Sequence, residues 1–215
     1  MKFDNLEDYF RINRINELRH YAFRDARKFN SYCFENDNGK VPKLEHGRKY
    51  AEKWDEMRSD NIGMLFWGPP GSGKTFAAAS IANALCEKFV SVRMMTLGTI
   101  LTLLPVKTFH EREVFLQDIC YCDLLILDDF GMERQTDYAN EQVFSIIDGR
   151  YLARKPLIVT TNLSLDELKH PTNITKQRVY DRILEMCVPV KFDGESLRRE
   201  KAAEKRKLYL EITGK

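Results

Sequence analysis

A chain of 215 residues with 43% apolar and 31% charged residues is long enough for one sizeable α/β domain and has the composition of a globular protein. Its formal net charge of only +2 excludes a general affinity for polyanions, so any contact with nucleic acid must come from local patches. No apolar run is long enough to span a membrane, and the charged first 20 residues lack the apolar core of a signal peptide. We therefore expect a cytoplasmic protein that has no membrane contact.

The first 43 residues predict a helical N-terminal extension, and residues 9–29 place apolar side chains near helical spacing. A break rich in turn residues follows at 36–42, and a second helix is predicted for 43–59. The basic and aromatic residues of 11–29 make this extension either a partner-docking segment or the remnant of a larger N-terminal domain. The alternative is a helix that packs on the chain's own core.

Short apolar strands alternate with helices after residue 62. This pattern predicts a parallel sheet that is covered by helices on both faces. The predicted strands are residues 63–68, 91–97, 123–129, 156–162 and 188–192. The predicted helices are residues 74–89, 97–105, 111–120, 140–154, 175–187 and 195–212.

The five cysteines predict reduced and mostly buried thiols. Cys120 and Cys122 flank Tyr121 just before an apolar run, but no second Cys/His pair lies at the spacing of metal ligands. The sequence therefore does not favour a zinc site. The cysteines are Cys33, Cys86, Cys120, Cys122 and Cys187.

The stretch GPPGSGKT, between the first predicted strand and the helix that follows it, has the spacing of a phosphate-binding loop. Glycines let successive N–H groups turn toward phosphate oxygens, and the helix N-terminus adds the positive end of its dipole. Lys74 would contact the β- and γ-phosphates, and the Thr75 hydroxyl would bind Mg²⁺. The predicted nucleotide-binding residues are Gly68, Pro69, Pro70, Gly71, Ser72, Gly73, Lys74 and Thr75.

Polar side chains also end the predicted strands LLILDD and LIVTTN. Asp128 would bind Mg²⁺, and Asp129 would orient and activate the attacking water. Asn162 would hydrogen-bond the γ-phosphate or that water, because ligands of parallel sheets bind at the carboxyl ends of the strands. The alternatives are a solvated carboxylate pair and an ordinary asparagine turn.

These motifs, in the order GPPGSGKT, LLILDDFG, TTN, QRVYDRI and ESLRRE, resemble an AAA+ ATPase and, more narrowly, the DnaC-type loaders of the replicative helicase. The resemblance covers about residues 44–200. It implies a P-loop AAA+ core with a five-stranded parallel sheet between helices, in an ATPase domain over 44–215 with little or no C-terminal lid. The extension over 1–43 would precede it. ATP and Mg²⁺ are the implied cofactors.

The resemblance also assigns roles to arginines. Arg182 is the best match for the arginine that completes a neighbouring subunit's site, and Arg178 is the second. Arg198 matches the sensor 2 arginine, with Arg199 next to it. The planar fork of arginine suits phosphate oxygens, although each of these residues could instead form a salt bridge on a helix surface. Self-association through the ATP sites is therefore expected.

The family further carries a helical element, associated with single-stranded DNA, between the second strand and the Asp128–Asp129 pair. In this chain the corresponding region is about 98–117. Its basic and aromatic residues, which single-strand grooves combine, are few, and a helix pair packed on the core is the alternative. They are Lys107, Phe109, His110, Arg112 and Phe115.

The resemblance thus implies an ATP-hydrolysing loader that assembles on the replicative DNA helicase and single-stranded DNA during replication initiation. One alternative is an IstB-type transposition helper, whose partner is a transposase on duplex DNA. Another is a scaffold in which ATP only holds subunits together, although Asp129 argues against it. A DnaA-type initiator is less favoured, because the segment after residue 196 predicts a single helix.

Overall fold

Helices and strands alternate through most of the computed structural model, which describes residues 6–24, 27–37, 39–41, 43–132, 136–171, 173–194 and 196–214. The first part holds α1 (Leu6–Phe23), two short 3₁₀ helices (Arg27–Ser31 and Phe34–Asn36), α2 (Leu44–Glu52) and α3 (Trp54–Ser59). The remaining elements are β1 (Gly63–Trp67), α4 (Lys74–Glu87), β2 (Val92–Thr96), α5 (Leu97–Leu103), α6 (Phe109–Tyr121), β3 (Leu124–Phe130), α7 (Asp137–Leu152), β4 (Leu157–Thr161), α8 (Leu165–Lys169), α9 (Ile174–Met186), β5 (Cys187–Lys191) and α10 (Leu197–Thr213). Among the described residues, no helix is long and apolar enough to cross a membrane.

The five strands form one parallel sheet in the order β2-β3-β4-β1-β5. Phe66 of β1 is aligned with Thr160 of β4, and Thr96 of β2 is aligned with Asp128 of β3. The carboxyl ends of β1, β3 and β4 therefore lie at the same edge of the sheet. This is the five-stranded parallel architecture that the sequence predicts.

Helices pack on both faces of the sheet, which explains why β1, β3 and β4 are apolar along most of their length. Consecutive β1 residues point in opposite directions, so that Phe66 packs with α1, α2 and α4 whereas Leu65 packs with α5, α6, α7 and α9. Four of the five alanines of α4 are fully buried, namely Ala77, Ala78, Ala79 and Ala82. Their small side chains let the helix that follows the phosphate-binding loop lie close against the sheet.

The N-terminal helix α1 packs on the first of these two faces through Leu18, Ala22 and Phe23. It ends at Phe23, and a 3₁₀ helix takes the place of the last turns that the sequence predicts. The residues of the predicted apolar stripe are not equally buried. Phe10 is 62% exposed, in contrast to the core residues named above.

A polar cluster under α1 connects it to β2 and α6. Arg93 donates from Nε to Asp118 Oδ2 at 2.8 Å and from Nη1 to the Tyr21 carbonyl at 2.6 Å. The Tyr21 hydroxyl donates to the other oxygen of Asp118. Burial, together with this hydrogen bond, raises the pKa of Tyr21 to about 12. The cluster therefore joins three elements through one carboxylate.

Apart from shifts of a few residues at the ends of helices and strands, three differences from the predicted elements are found. The helix predicted for 43–59 is two helices, α2 and α3, that meet at Lys53, where Trp54 turns into the core with 2% exposure. The short helix α8 follows β4 without having been predicted, and a capping box formed by Ser164 and Glu167 begins it. Cys187 begins β5 rather than ending α9. None of these changes moves a strand out of the sheet.

Arg150 is a fully buried arginine at the edge of the sheet opposite to the predicted site. Its Nη1 donates to the carbonyls of Cys120 at 3.1 Å and Cys122 at 2.6 Å, and its Nη2 donates to those of Asp123 and Pro156. Burial lowers the pKa of Arg150. The guanidinium thus caps the carboxyl end of α6 and holds together the segments that lead into β3 and β4.

We expect Arg150→Ala to lower the free energy of unfolding by about 2 to 5 kcal/mol, because it leaves buried carbonyl oxygens without donors and opens a cavity. Urea denaturation followed by circular dichroism measures the change. The matched control is Arg206→Ala on the exposed face of α10, which should change stability by less than about 0.5 kcal/mol. Equal stability of the two variants would contradict the role given to Arg150.

Candidate functional site

The loop between β1 and α4 is closely covered by the chain that follows β5. Gly68 has a φ of 142° and Gly71 a φ of 86°, in a region that side chains other than hydrogen rarely allow. A β-carbon on Gly68 would collide with the Phe192 carbonyl oxygen, and one on Gly71 would collide with the Ser196 hydroxyl. The Leu197 N–H also donates to the Gly71 carbonyl at 3.1 Å. The start of α10 is therefore fixed directly on the loop.

The Lys74 amino group is buried inside this loop. Its Nζ donates to the carbonyls of Gly68 and Pro69, each at 2.8 Å, and to Asn162 Oδ1 at 2.9 Å. Burial lowers the pKa of Lys74, and the charge of Arg198 acts in the same direction. The hydrogen-bond partners of the lysine are thus neutral oxygens. Phosphate oxygens in their place would be negatively charged partners, which form stronger hydrogen bonds with an ammonium group.

Asp128 lies at the centre of the site, where two threonines share one of its oxygens. Thr75 Oγ1 donates to Asp128 Oδ1 at 2.9 Å, and Thr160 Oγ1 donates to the same atom at 2.7 Å. Burial raises the pKa of Asp128, while the Thr160 hydrogen bond lowers it. Two neighbouring ligands of an octahedral Mg²⁺ are roughly 3 Å apart at normal bond lengths. The Thr75 and Asp128 oxygens therefore fit the metal that the sequence predicts.

Asp129 has a constrained backbone. Its φ is 54°, in the left-handed region that aspartate tolerates better than most residues. Its N–H donates to Thr160 Oγ1 at 3.0 Å, so the threonine that binds Asp128 also positions the next residue. This geometry turns the Asp129 side chain away from the strand and toward the cleft that it lines.

A cleft of about 250 Å³ brings the predicted residues together. Lys74, Thr75, Asp129, Asn162 and Arg198 all line it. Its other lining residues are Lys28, Tyr32, Asn36, Asp37, Val41, Pro70, Gly71, Gly73, Phe76, Leu197 and Glu204. Five stretches that are far apart in sequence therefore form one concave site, and the last of them is the first part of α10.

The structure places Arg182 away from this cleft. Arg182 Nη2 lies 2.6 Å from Asp148 Oδ1, and its guanidinium lies 4.8 Å from the Phe144 ring centroid and 5.5 Å from that of Tyr151. Among the described residues, neither Arg182 nor Arg178 lines the chain's own cleft. Both lie on α9, and the role predicted for them in a neighbouring subunit's site stays a prediction. Arg178 is exposed, as is Arg199 on α10.

The sequence analysis missed Thr160 and the wall made by residues 28–37 and 41. Thr160 could have been predicted from the sequence. It is a polar residue near the carboxyl end of a buried strand, and such a residue lies beside the carboxylates that end a neighbouring parallel strand. The wall could not have been predicted in this way, because its residues reach the cleft only after α1 packs on the sheet. Sequence spacing cannot predict such a long-range contact.

The region predicted to contact single-stranded DNA forms α5 and α6. Phe115 is buried in the core, whereas Phe109 is 83% exposed at the start of α6. Lys107 Nζ lies 5.2 Å from the Phe115 ring centroid, and Arg112 Nε donates to the Leu104 carbonyl at 3.2 Å. Of the two aromatic residues in the region predicted to contact single-stranded DNA, Phe109 is therefore the one that is exposed to solvent.

The five cysteines are free thiols, and three of them are buried. Burial raises the pKa of Cys86 to about 12 and that of Cys122 to about 11. These groups remain protonated at neutral pH and behave as apolar side chains. The thiols take no part in the cleft described above.

Comparison with known proteins agrees with this geometry. The profile of the family described as IstB-like ATP binding protein matches residues 9–205. The chain is 30% identical to the replicative helicase loader DnaC of Escherichia coli K12 over 159 residues, 72% of this chain and 62% of that protein. It is 27% identical to the replicative helicase loader DnaI of Bacillus subtilis over 176 residues, 75% of this chain and 55% of that protein. The chain thus spans less than two thirds of these relatives.

Solved structures show the same fold. The crystal structure of DnaI superposes with a TM-score of 0.60 at 22% identity, covering 84% of this chain and 92% of that one. AMPPCP-bound DnaA from Aquifex aeolicus superposes with a TM-score of 0.60 at 20% identity, covering 83% of this chain and 55% of that one. The predicted family and fold are both confirmed. The chain belongs to the family of IstB-like ATP-binding proteins.

Proposed function

We propose that the chain hydrolyses ATP and loads the replicative DNA helicase onto single-stranded DNA during replication initiation. The observation that carries the proposal is the cleft that combines Lys74, the Thr75–Asp128 pair, Asp129 and Asn162. The relatives named DnaC and DnaI are replicative helicase loaders, which supports the second part of the proposal.

Each site residue has a separate role in the proposed phosphoryl transfer. Bound ATP with Mg²⁺ supplies the phosphorus centre that water attacks, with part of its charge neutralised. Lys74 would exchange its carbonyl partners for phosphate oxygens, and the Thr75 and Asp128 oxygens would hold the metal. Asp129 would accept a hydrogen bond from the attacking water and orient it. Asn162, whose amide oxygen accepts a hydrogen bond from Lys74, would donate from its amide nitrogen to the γ-phosphate.

Asp129→Asn should bind ATP and lower its hydrolysis by about 100-fold or more, because the amide cannot activate water. Lys74→Ala should lose hydrolysis and most of the binding, since the charge aimed at the phosphates is gone. Phosphate release and equilibrium binding of a fluorescent ATP analogue separate the two effects. The control is Asp166→Asn, an exposed carboxylate on α8. Turnover of Asp129→Asn at the wild-type rate would refute the role of Asp129.

A second subunit completes the site in this proposal. Arg182 is about a quarter exposed and is paired with Asp148, which is exposed to a similar degree. Arg182 would have to leave Asp148 and the Phe144 and Tyr151 rings to bind phosphate oxygens of a neighbour. A head-to-tail interface of this kind produces a ring or an open spiral. An open spiral suits a protein that holds a helicase ring open, and ATP at each junction favours assembly.

ATPase activity per chain should therefore rise with protein concentration. Mixing Arg182→Ala with Lys74→Ala subunits should restore part of the activity that each lacks alone, because one supplies the loop and the other the arginine. Arg178→Ala, one helical turn earlier on α9, is mixed with Lys74→Ala in the same way, because Arg178 is the second match for this arginine. Activity independent of concentration, with no rescue on mixing either arginine variant, would contradict a shared site.

The surface proposed to contact single-stranded DNA lies at the start of α6. Phe109 presents an exposed ring there, next to His110 and close to Lys107. Stacking of bases on aromatic rings tolerates any sequence, and the few positive charges nearby would make the salt dependence gentle.

Single-stranded DNA should raise the ATPase rate, and the chain should bind the replicative helicase of its own organism in the presence of ATP. Phe109→Ala should lower the DNA stimulation several-fold without changing the rate measured without DNA. Tyr121→Ala, which removes an exposed ring from the other end of α6, is the control. The measurements are ATPase rates with single-stranded and duplex DNA, and co-purification with the helicase.

The same measurements decide between the loader and the transposition helper. The family description names IstB-like proteins, so a helper of a transposase is the second candidate. Stimulation by duplex DNA alone, with no helicase binding, would favour that function. ATP binding with negligible turnover under every condition would favour a scaffold.

A further inference from the structure

Two consecutive threonines, Thr160 and Thr161, end β4, and both are fully buried. Successive side chains of a strand point to opposite faces of the sheet, so the two hydroxyls lie in different surroundings. Burying a hydroxyl is costly unless it is hydrogen-bonded. The partners of each hydroxyl therefore indicate what each threonine does.

Within the part of the chain that the structure describes, the Thr161 hydroxyl bonds main-chain groups. Its Oγ1 donates to the Phe130 carbonyl at 2.7 Å and accepts the Leu163 N–H at 3.1 Å. These bonds connect the end of β4 to β3 and to the turn that follows β4. A structural role accounts for this threonine.

The Thr160 hydroxyl instead donates to a carboxylate. Its Oγ1 lies 2.7 Å from Asp128 Oδ1, the same oxygen to which Thr75 donates at 2.9 Å. Hydrogen bonds to an ionised acceptor are stronger than those between neutral groups. Since Thr75 comes from α4 and Thr160 from the neighbouring strand, two elements hold the carboxylate in one orientation.

The strand β3 has one residue more than β4 at this point of the sheet. Leu127 is aligned with Val159 and Phe130 with Thr161, so three steps along β3 correspond to two steps along β4. The extra residue makes a β-bulge, in which two residues of β3 lie opposite one residue of β4. Bulges interrupt the regular ladder of a sheet and often redirect a side chain next to an active site.

The two β3 residues in this bulge are Asp128 and Asp129, and the β4 residue opposite them is Thr160. The Asp129 N–H donates to a side-chain atom, Thr160 Oγ1, at 3.0 Å. Asp129 has a φ of 54° in the bulge, and its side chain lines the cleft. The Thr160 hydroxyl thus closes the bulge that directs Asp129 into the cleft.

Thr160 itself is fully buried and is not among the described residues that line the cleft. It can therefore act on a ligand only through the two carboxylates. We propose that Thr160 is a positioning residue whose single hydroxyl sets both the binding of Mg²⁺ by Asp128 and the orientation of the attacking water by Asp129. This inference rests on the ATPase function proposed above.

The experiment removes this hydroxyl and keeps the shape of the side chain. Thr160→Val lacks the hydroxyl, Thr160→Ser retains it, and Thr161→Val removes the equally buried hydroxyl of the next residue as the matched control. Binding of AMPPCP, an ATP analogue that is not hydrolysed, is measured in Mg²⁺ and in EDTA. The ratio of the two affinities, here called the magnesium factor, reports on the metal without turnover. Phosphate release measures hydrolysis, and thermal unfolding followed by circular dichroism measures stability.

Thr160→Val should bind AMPPCP in EDTA as tightly as the wild-type chain, because Lys74 and the phosphate-binding loop are unchanged. Its magnesium factor should fall about 10-fold, and its rate of hydrolysis at saturating ATP about 10- to 100-fold, as is usual when a group that orients a metal ligand is removed. Thr160→Ser should keep both values close to those of the wild-type chain. Thr161→Val should lose stability but keep the wild-type magnesium factor.

A wild-type magnesium factor or a wild-type rate of hydrolysis in Thr160→Val would overturn the proposal. An equal fall of the magnesium factor in Thr161→Val, or a Thr160→Ser variant as impaired as Thr160→Val, would also overturn it. If Thr160→Val does not fold, Thr160→Ser and Thr160→Ala give the same comparison, since they differ by one hydroxyl. A wild-type chain that binds AMPPCP but hydrolyses no ATP would refute the ATPase function, whereas the magnesium factor would still decide whether Thr160 positions Asp128.

Discussion

The site depends on one carboxylate oxygen, Asp128 Oδ1, and on the two threonine hydroxyls that donate to it. Thr75 comes from the start of α4 and Thr160 from the end of β4, so three elements must meet within hydrogen-bond distance of one atom. Thr160 also accepts the N–H of Asp129 and thereby positions the second carboxylate. The parallel register of β3 and β4 is therefore the constraint from which the arrangement of the site follows.

The two ends of the sheet have opposite physical characters. The carboxyl end keeps a buried lysine and a buried carboxylate whose pKa values burial shifts, together with a left-handed Asp129. Such features oppose folding and are characteristic of sites that bind ligands. At the other end, Arg150 donates to carbonyls beside β3 and β4. The strained features thus lie at the functional end of the strands, whereas the contacts of Arg150 stabilise the other end of the same strands.

Local patterns allowed much of this structure to be predicted from the sequence. The phosphate-binding loop and the five strands each have a signal within about ten residues, such as GPPGSGKT or an apolar run. What could not be predicted depends on distant packing. The ion pair between Arg182 and Asp148 and the burial of Phe115 arise only when α6, α7 and α9 meet the sheet. The division of the chain at residue 43 stays a prediction.

The segment before residue 43 nevertheless belongs physically to the nucleotide cleft. Lys28, Tyr32, Asn36 and Asp37 follow α1 in the chain and line the cleft, and Asn83 of α4 holds this segment through the carbonyls of Phe29 and Tyr32. The same helix α1 is bound through Tyr21 and Arg93 to Asp118 of α6, the helix that presents Phe109. A nucleotide in the cleft and a strand of DNA on α6 would therefore contact elements that α1 joins. Because packed interiors transmit strain, α1 is a direct physical connection between the cleft wall and α6.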